Sequence, residues 1–246
     1  MGAYSQEWLQ QRPISGGTRY NYRRLLRNHI LPTFALIDMR DITPQVVATW
    51  YADTAAHPPT VRAHTYALLR SILQDAVSHN IIDANPCQIS GVSTSWQAEQ
   101  ARPVTVEDVE AIAAVMPEAY QTLIPMTAWL GMASGEVREL RRKDIDLSNN
   151  VVRVRRAVVL AGRRFQVTAP RSRRGIRDIP IPPALAPRIT AHLREHVELH
   201  QEALLFPAML NPDHYLAPSV LYSMVRHACI AAGQPDLRVR DLCRSC

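Results

Sequence analysis

The apolar period of this chain switches near residue 146, and that switch excludes both a pure helical bundle and a pure β fold. Before it, apolar residues recur at three- and four-residue spacing. After it, "VVRVRRAVV" (151–159), "RRFQVTA" (163–169) and "IRDIPI" (176–181) alternate. Side chains share a helix face every 3.6 residues and a strand face every second residue, so helices are predicted first and three short strands next. "AGRR" and "PRSRRG" supply the turns, with glycine and proline where the chain must reverse. Helical spacing resumes over 184–198 and 219–232. The expected fold class is mainly α with a small antiparallel β-insert, an α+β arrangement.

The helical part divides in two. In the first region Thr18 is expected to cap a helix carrying Tyr22, Leu25, Leu26 and His29 on one face. Thr43-Pro44 opens a second helix with the stripe Val46, Val47, Trp50 and Tyr51. Thr60 starts a third, longer helix with Leu68, Leu69, Ile72, Leu73, Ala76 and Val77 inward, and "DANP" (83–86) ends the packed region. "STSWQAEQARP" (93–103) is polar and poor in core formers, as linkers are. Domains are therefore expected at 1–92 and 104–246, joined by a linker at 93–103. The second domain opens on "TVED", where Thr105 and Asp108 can form a capping box. Its helical period runs to about Leu140, with Pro125 expected to kink or break it.

Charge narrows the partner. The net charge is +6, and of 28 cationic residues 27 are arginine, leaving Lys143 as the single lysine. Guanidinium suits bidentate phosphate contacts, although GC-rich coding drift also replaces Lys with Arg. Position is more informative than the ratio: residues 138–177 hold 13 cations against three acids. That density on one helix end and a basic hairpin suits a surface that tracks phosphates. Cys87, Cys229, Cys243 and Cys246 have no disulfide-framework spacing, and Cys243-x-x-Cys246 lacks the second pair of a zinc site, which points to a reducing cytosol. No apolar run is long enough to span a bilayer, so no membrane partner is expected. His192, His196 and His200 recur every four residues, but no fourth ligand accompanies them, and no metal is expected.

In chain order the features are a helical domain, a linker, "LGMASGEVRELRRKDID" (130–146), a basic β-insert, "RDIPIP" and a late "VRDLCRS". This order resembles the phage integrase group of tyrosine recombinases, and the most specific part is the run from Gly135 to Asp146. The resemblance covers nearly the whole chain. It implies a helical, SAM-like core-binding domain followed by a catalytic domain, together clamping double-stranded DNA. It also implies chemistry with a tyrosine nucleophile, two phosphate-binding arginines, a hairpin lysine and one or two histidines, with no cofactor and no small-molecule substrate.

Several of those positions are substituted here. Ala133 stands where the resemblance implies the first arginine, and Arg171 where it implies the hairpin lysine. In the late motif Arg240 replaces a histidine, Cys243 the second arginine and Arg244 the second histidine. All eight tyrosines precede this motif, and the resemblance implies a nucleophile after it. The expectation is a C-terminally incomplete catalytic domain that binds DNA in the cytoplasm, at the nucleoid, without cleaving it. The residues expected to meet DNA are Arg19, Arg23, Arg62, Arg141, Arg142, Lys143, Arg163, Arg164, Arg173, Arg174 and Arg177. Two alternatives stay open: an active recombinase whose sequence is truncated or erroneous, and a non-catalytic module that regulates other recombinase subunits.

Overall fold

The computed structural model describes residues 1–92, 104–162, 164–170 and 175–243. The expected linker at 93–103 therefore lies outside the described residues. The chain divides into two compact units, Met1–Gln100 and Ala101–Cys246.

The first unit is all helical: α1 (Gly2–Gln11), α2 (Gly16–Leu25), a π-helical turn (Leu26–Ile30), α3 (Leu31–Phe34), α4 (Pro44–Asp53) and α5 (Pro59–Ser78). Its core joins Trp8, Leu26, Ile30, Phe34, Trp50 and the inward stripe of α5, in which Leu69, Ile72 and Leu73 are fully buried. The buried Trp50 indole satisfies its polar atom by donating to His29 O at 2.9 Å. Thr43 caps α4 by accepting from Val46 N. At α2 the cap is Ser15, three residues before the expected Thr18: its extended backbone lets Oγ accept from Thr18 N at 3.2 Å, so the helix absorbs Gly16 and Gly17.

The second unit begins with α6 (Val106–Val115), opened by the Thr105/Asp108 capping box in both directions. The helical run expected to reach Leu140 is interrupted twice, giving α7 (Leu123–Trp129) and α8 (Ser134–Glu139). Pro125 neither kinks nor breaks a helix. It sits in the first turn of α7, where a backbone N–H has no intrahelical partner to lose. The break after α7 belongs to Gly131, whose φ of +56° lets Met132 N bond back to Thr127 O at 3.2 Å in a Schellman-type ending. Met132 is then driven fully into the core with Ile124, Met126 and Val137.

The strands are β1 (Ile145–Asp146), β2 (Val151–Val154), β3 (Ala157–Ala161), β4 (Arg164–Thr168), β5 (Arg177–Pro180), β6 (Pro207–Ala208) and β7 (Asn211–Tyr215). The run expected as one strand over 151–159 is two. β2 is the centre of an antiparallel sheet β1-β2-β5, with Val152 opposite Ile179, while among the described residues β3 pairs only with β4. The split falls at Arg155-Arg156, whose side chains are drawn to Asp178 and to Glu139 and Asp144. The remaining helices are α9 (Ala186–Glu195), α10 (Pro218–Ala231) and α11 (Val239–Leu242). Among the described residues no helix is long and apolar enough to cross a membrane.

Candidate nucleic-acid interface

One open cleft of ≈ 1270 Å³ lies in the second unit, between the start of α8, the β3–β4 hairpin, α10 and α11. Its lining includes Ala133, Ser134, Tyr222 and Cys243, with five arginines (Arg138, Arg177, Arg226, Arg238 and Arg240) against Glu136 and Asp236. Gly135 lets α8 pack closely against β3 in the wall of the cleft. A Cβ there would stand 2.9 Å from Val158 O, so only glycine lets α8 approach β3 this closely.

Charge in this wall is arranged by short-range geometry. Glu136 Oε2 accepts from Ala133 N at 3.0 Å, which satisfies a helix-end donor that Ala133 cannot reciprocate. Both oxygens of the same carboxylate receive Arg177, at 3.1 and 3.0 Å. Arg138 is different. It is 3% exposed and donates to three carbonyls, Ser134 O at 3.0 Å, Leu216 O at 2.9 Å and Val158 O at 3.1 Å. Burial lowers its pKa from the ordinary guanidinium value, and the nearby Tyr222 hydroxyl partly opposes that. Tyr222 OH lies 3.2 Å from Ser134 Oγ at the mouth of the cleft.

Of the positions carried over by resemblance, the structure brings Ala133, Arg240 and Cys243 to this cleft. Arg171 and Arg244 lie outside the described residues, as do Arg163, Arg173 and Arg174. Several expected DNA contacts have intramolecular work. Arg19 caps the end of α1 through Leu9 O, Gln10 O and Arg12 O. Arg62 stacks over the Tyr51 ring at 4.4 Å and bonds Thr54 Oγ1 and Tyr51 O. Arg141 bonds Glu139, Glu202 and Tyr215, and Lys143 pairs with Glu202. Arg142 gathers Leu193 O, Val197 O and Glu198 O at and beyond the end of α9. Arg23 and Arg164 are exposed.

Arg138, Arg226 and Arg238 were not singled out from sequence. Arg226 could have been: it follows Tyr222 by four residues on α10, the spacing that puts two side chains on one face. The histidine series does not form a ligand face. His192 is buried with Nε2 against Leu205 O at 2.9 Å, and His200 lies beyond α9 beside Glu198. His196 instead meets Glu118 and Glu195, with ligand atoms within 4.8 Å, but Arg194 already pairs with Glu195.

The chain is a helical unit followed by an α+β unit with a basic cleft, and comparison with known proteins gives its family. Residues 1–55 match the phage integrase N-terminal SAM-like domain. The chain is 54% identical over 241 residues to a prophage phiRv2 integrase of Mycobacterium tuberculosis, covering 98% of this chain and 64% of that protein. It is 30% identical over 243 residues to the integrase of Mycobacterium phage FRAT1, covering 97% and 72%. This chain belongs to the phage integrase, or tyrosine recombinase, family. It spans 64% of the length of the prophage integrase. The fold is that of the Tn1549 transposon integrase in complex with transposon right end DNA, with a TM-score of 0.78 at 14% identity over 98% of this chain and 83% of that one. Lambda integrase residues 75–356 bound to DNA gives a TM-score of 0.65 at 11% identity, covering 99% and 83%.

Proposed function

We propose that this chain is a double-stranded-DNA-binding member of the site-specific recombinase family, and that it grips DNA without cutting it. The observation that carries the binding half is the cleft, where five arginines face two acids and Arg177 already neutralises Glu136. Such an excess attracts a polyanion and makes affinity fall with salt. The integrases of the same fold that were captured on DNA support duplex as the ligand.

The second half rests on what the cleft wall presents. Ala133 and Cys243 line it at the two positions where the family resemblance implies arginines. Removing one group that stabilises transition-state charge costs about two to three orders of magnitude in rate, and here two are replaced. The test is a gel shift on random duplex across a salt series, followed by a suicide substrate run on a denaturing gel. Salt-sensitive binding with no covalent adduct is expected. An adduct would select the second reading, an active tyrosine recombinase, which the 54% identity to a prophage integrase favours.

A further inference from the structure

Arg138 carries a buried charge in the cleft wall. The guanidinium is 3% exposed, yet among the described residues no carboxylate lies within ion-pair distance of it. Its three hydrogen-bond partners, Ser134 O, Leu216 O and Val158 O, are neutral. Every other cleft arginine differs in exposure or pairing: Arg177 has Glu136, Arg240 has Asp241 at 3.6 Å, and Arg226 and Arg238 reach solvent. Taking a charge out of water without a counter-charge costs several kcal/mol, so a structural staple for three carbonyls is an expensive use of a cation. A guanidinium carries five N–H donors, and the three carbonyls use three of them.

Position makes the missing counter-charge informative. Arg138 lies in the cleft wall, and its carbonyl partners tie together the elements that frame it: α8 through Ser134, β3 through Val158 and the approach to α10 through Leu216. The acids of the lining do not compensate it. Glu136 is held by Arg177 and Ala133 N, and Asp236 belongs to the exposed stretch before α11. An anion seated in this cleft would face a positive charge fixed in a low-dielectric wall, where the interaction is screened far less than at the surface.

We propose that Arg138 is the buried half of a phosphodiester-binding site in this cleft, its uncompensated guanidinium supplying fixed positive charge for one backbone phosphate. This rests on the duplex-binding reading above and names the group that anchors it. Arg138 then has two duties: its carbonyl bonds tie the hairpin and the helices together at a fixed spacing, and its charge is completed by the ligand.

Two measurements on the full chain separate these duties. The first is the melting temperature of the second unit against inorganic phosphate, with chloride at equal ionic strength as the reference. A phosphate-specific rise is expected for the native chain and for Arg138→Lys, and its loss for Arg138→Gln. The second is duplex affinity across a salt series, where Arg138→Gln should lower the log–log salt slope by about 1 while Arg138→Lys retains it. A carbonyl staple alone would change stability but leave the phosphate response and the salt slope unmoved. If Arg138→Gln does not fold, Ala133→Glu, at an exposed position on the same cleft, should abolish the phosphate response by supplying the counter-charge. A native chain that binds duplex without a phosphate-specific rise overturns this assignment alone. So does a rise that survives in a folded Arg138→Gln or in Ala133→Glu. A native chain that shows the rise but binds no duplex overturns the DNA reading alone.

Discussion

Arg177 grips Glu136 with two parallel bonds, Nη1 to Oε1 at 3.1 Å and Nη2 to Oε2 at 3.0 Å, joining β5 to α8 across 41 residues of sequence. The same guanidinium also donates to Gly131 O and Gly175 O, so four of its contacts are internal. Arg177, one of the arginines expected to meet DNA, fixes the backbone around Ala133.

Arg177→Ala leaves the Glu136 carboxylate, 9% exposed, without its cation. The loss should be about 3 kcal/mol, the low end for a broken buried pair because Arg177 keeps 29% exposure. Urea denaturation of the second unit measures it, and Arg177→Met combined with Glu136→Gln should recover more than half. A loss below about 0.5 kcal/mol, typical of exposed pairs, would mean the bridge holds nothing.

Gly135→Ala tests the close approach of α8 to β3. The added methyl would stand 2.9 Å from Val158 O, a backbone atom that cannot rotate away. Overpacking of this kind costs about 1–3 kcal/mol. Hydrogen exchange should show faster opening at Val158 and Val167, which are cross-strand partners. Unchanged exchange and melting would show that the hairpin shifts freely.

His192 should make the second unit sensitive to acid. Burial lowers its pKa below the ordinary imidazole value, with the bond to Leu205 O partly opposing. The folded chain therefore holds His192 neutral while the unfolded chain takes up a proton. Stability is complete above about pH 6.5 and declines as pH falls below it toward the folded value. Chemical denaturation at pH 7.5 and 5.5 should show the decline, and His192→Gln should flatten it. An equal slope in both proteins would assign the effect to other groups.

Arg226 on α10 tests the proposed interface without touching the fold, because its side chain is exposed while Val225 and Ala228 face the core. Arg226→Ala should weaken duplex binding similarly for all sequences and reduce the salt slope by about 1. Fluorescence anisotropy at several salt concentrations measures both. A change confined to one DNA sequence would point to base reading instead.

The sequence carried the architecture because the signals were local. The α5 stripe is buried at Leu68, Leu69, Ile72, Leu73 and Ala76, with Val77 only partly so, and the Thr43 and Thr105 caps sit where side-chain chemistry placed them. It misplaced the first cap of α2 because Ser15 and Thr18 both offer hydroxyls, and backbone conformation chose between them. It joined β2 to β3 because alternation continues through Arg155-Arg156, while the acids that pull the two apart lie elsewhere in the chain.

The cleft shows the same division more sharply. Residue type and order determined the helical unit, the change of period and the family pattern from Gly135 to Asp146, since each depends on neighbours within a few residues. Which arginines carry usable charge was decided only in three dimensions. Arg141, Arg142 and Arg177 look alike in sequence to Arg226, but the first three are neutralised or spent on carbonyls from residues 2 to 61 positions away. Among the described residues no acid pairs with Arg138, which the packing of three separate elements buries. Counter-charges are matched by distance in space, and a one-dimensional count of charges does not contain that distance.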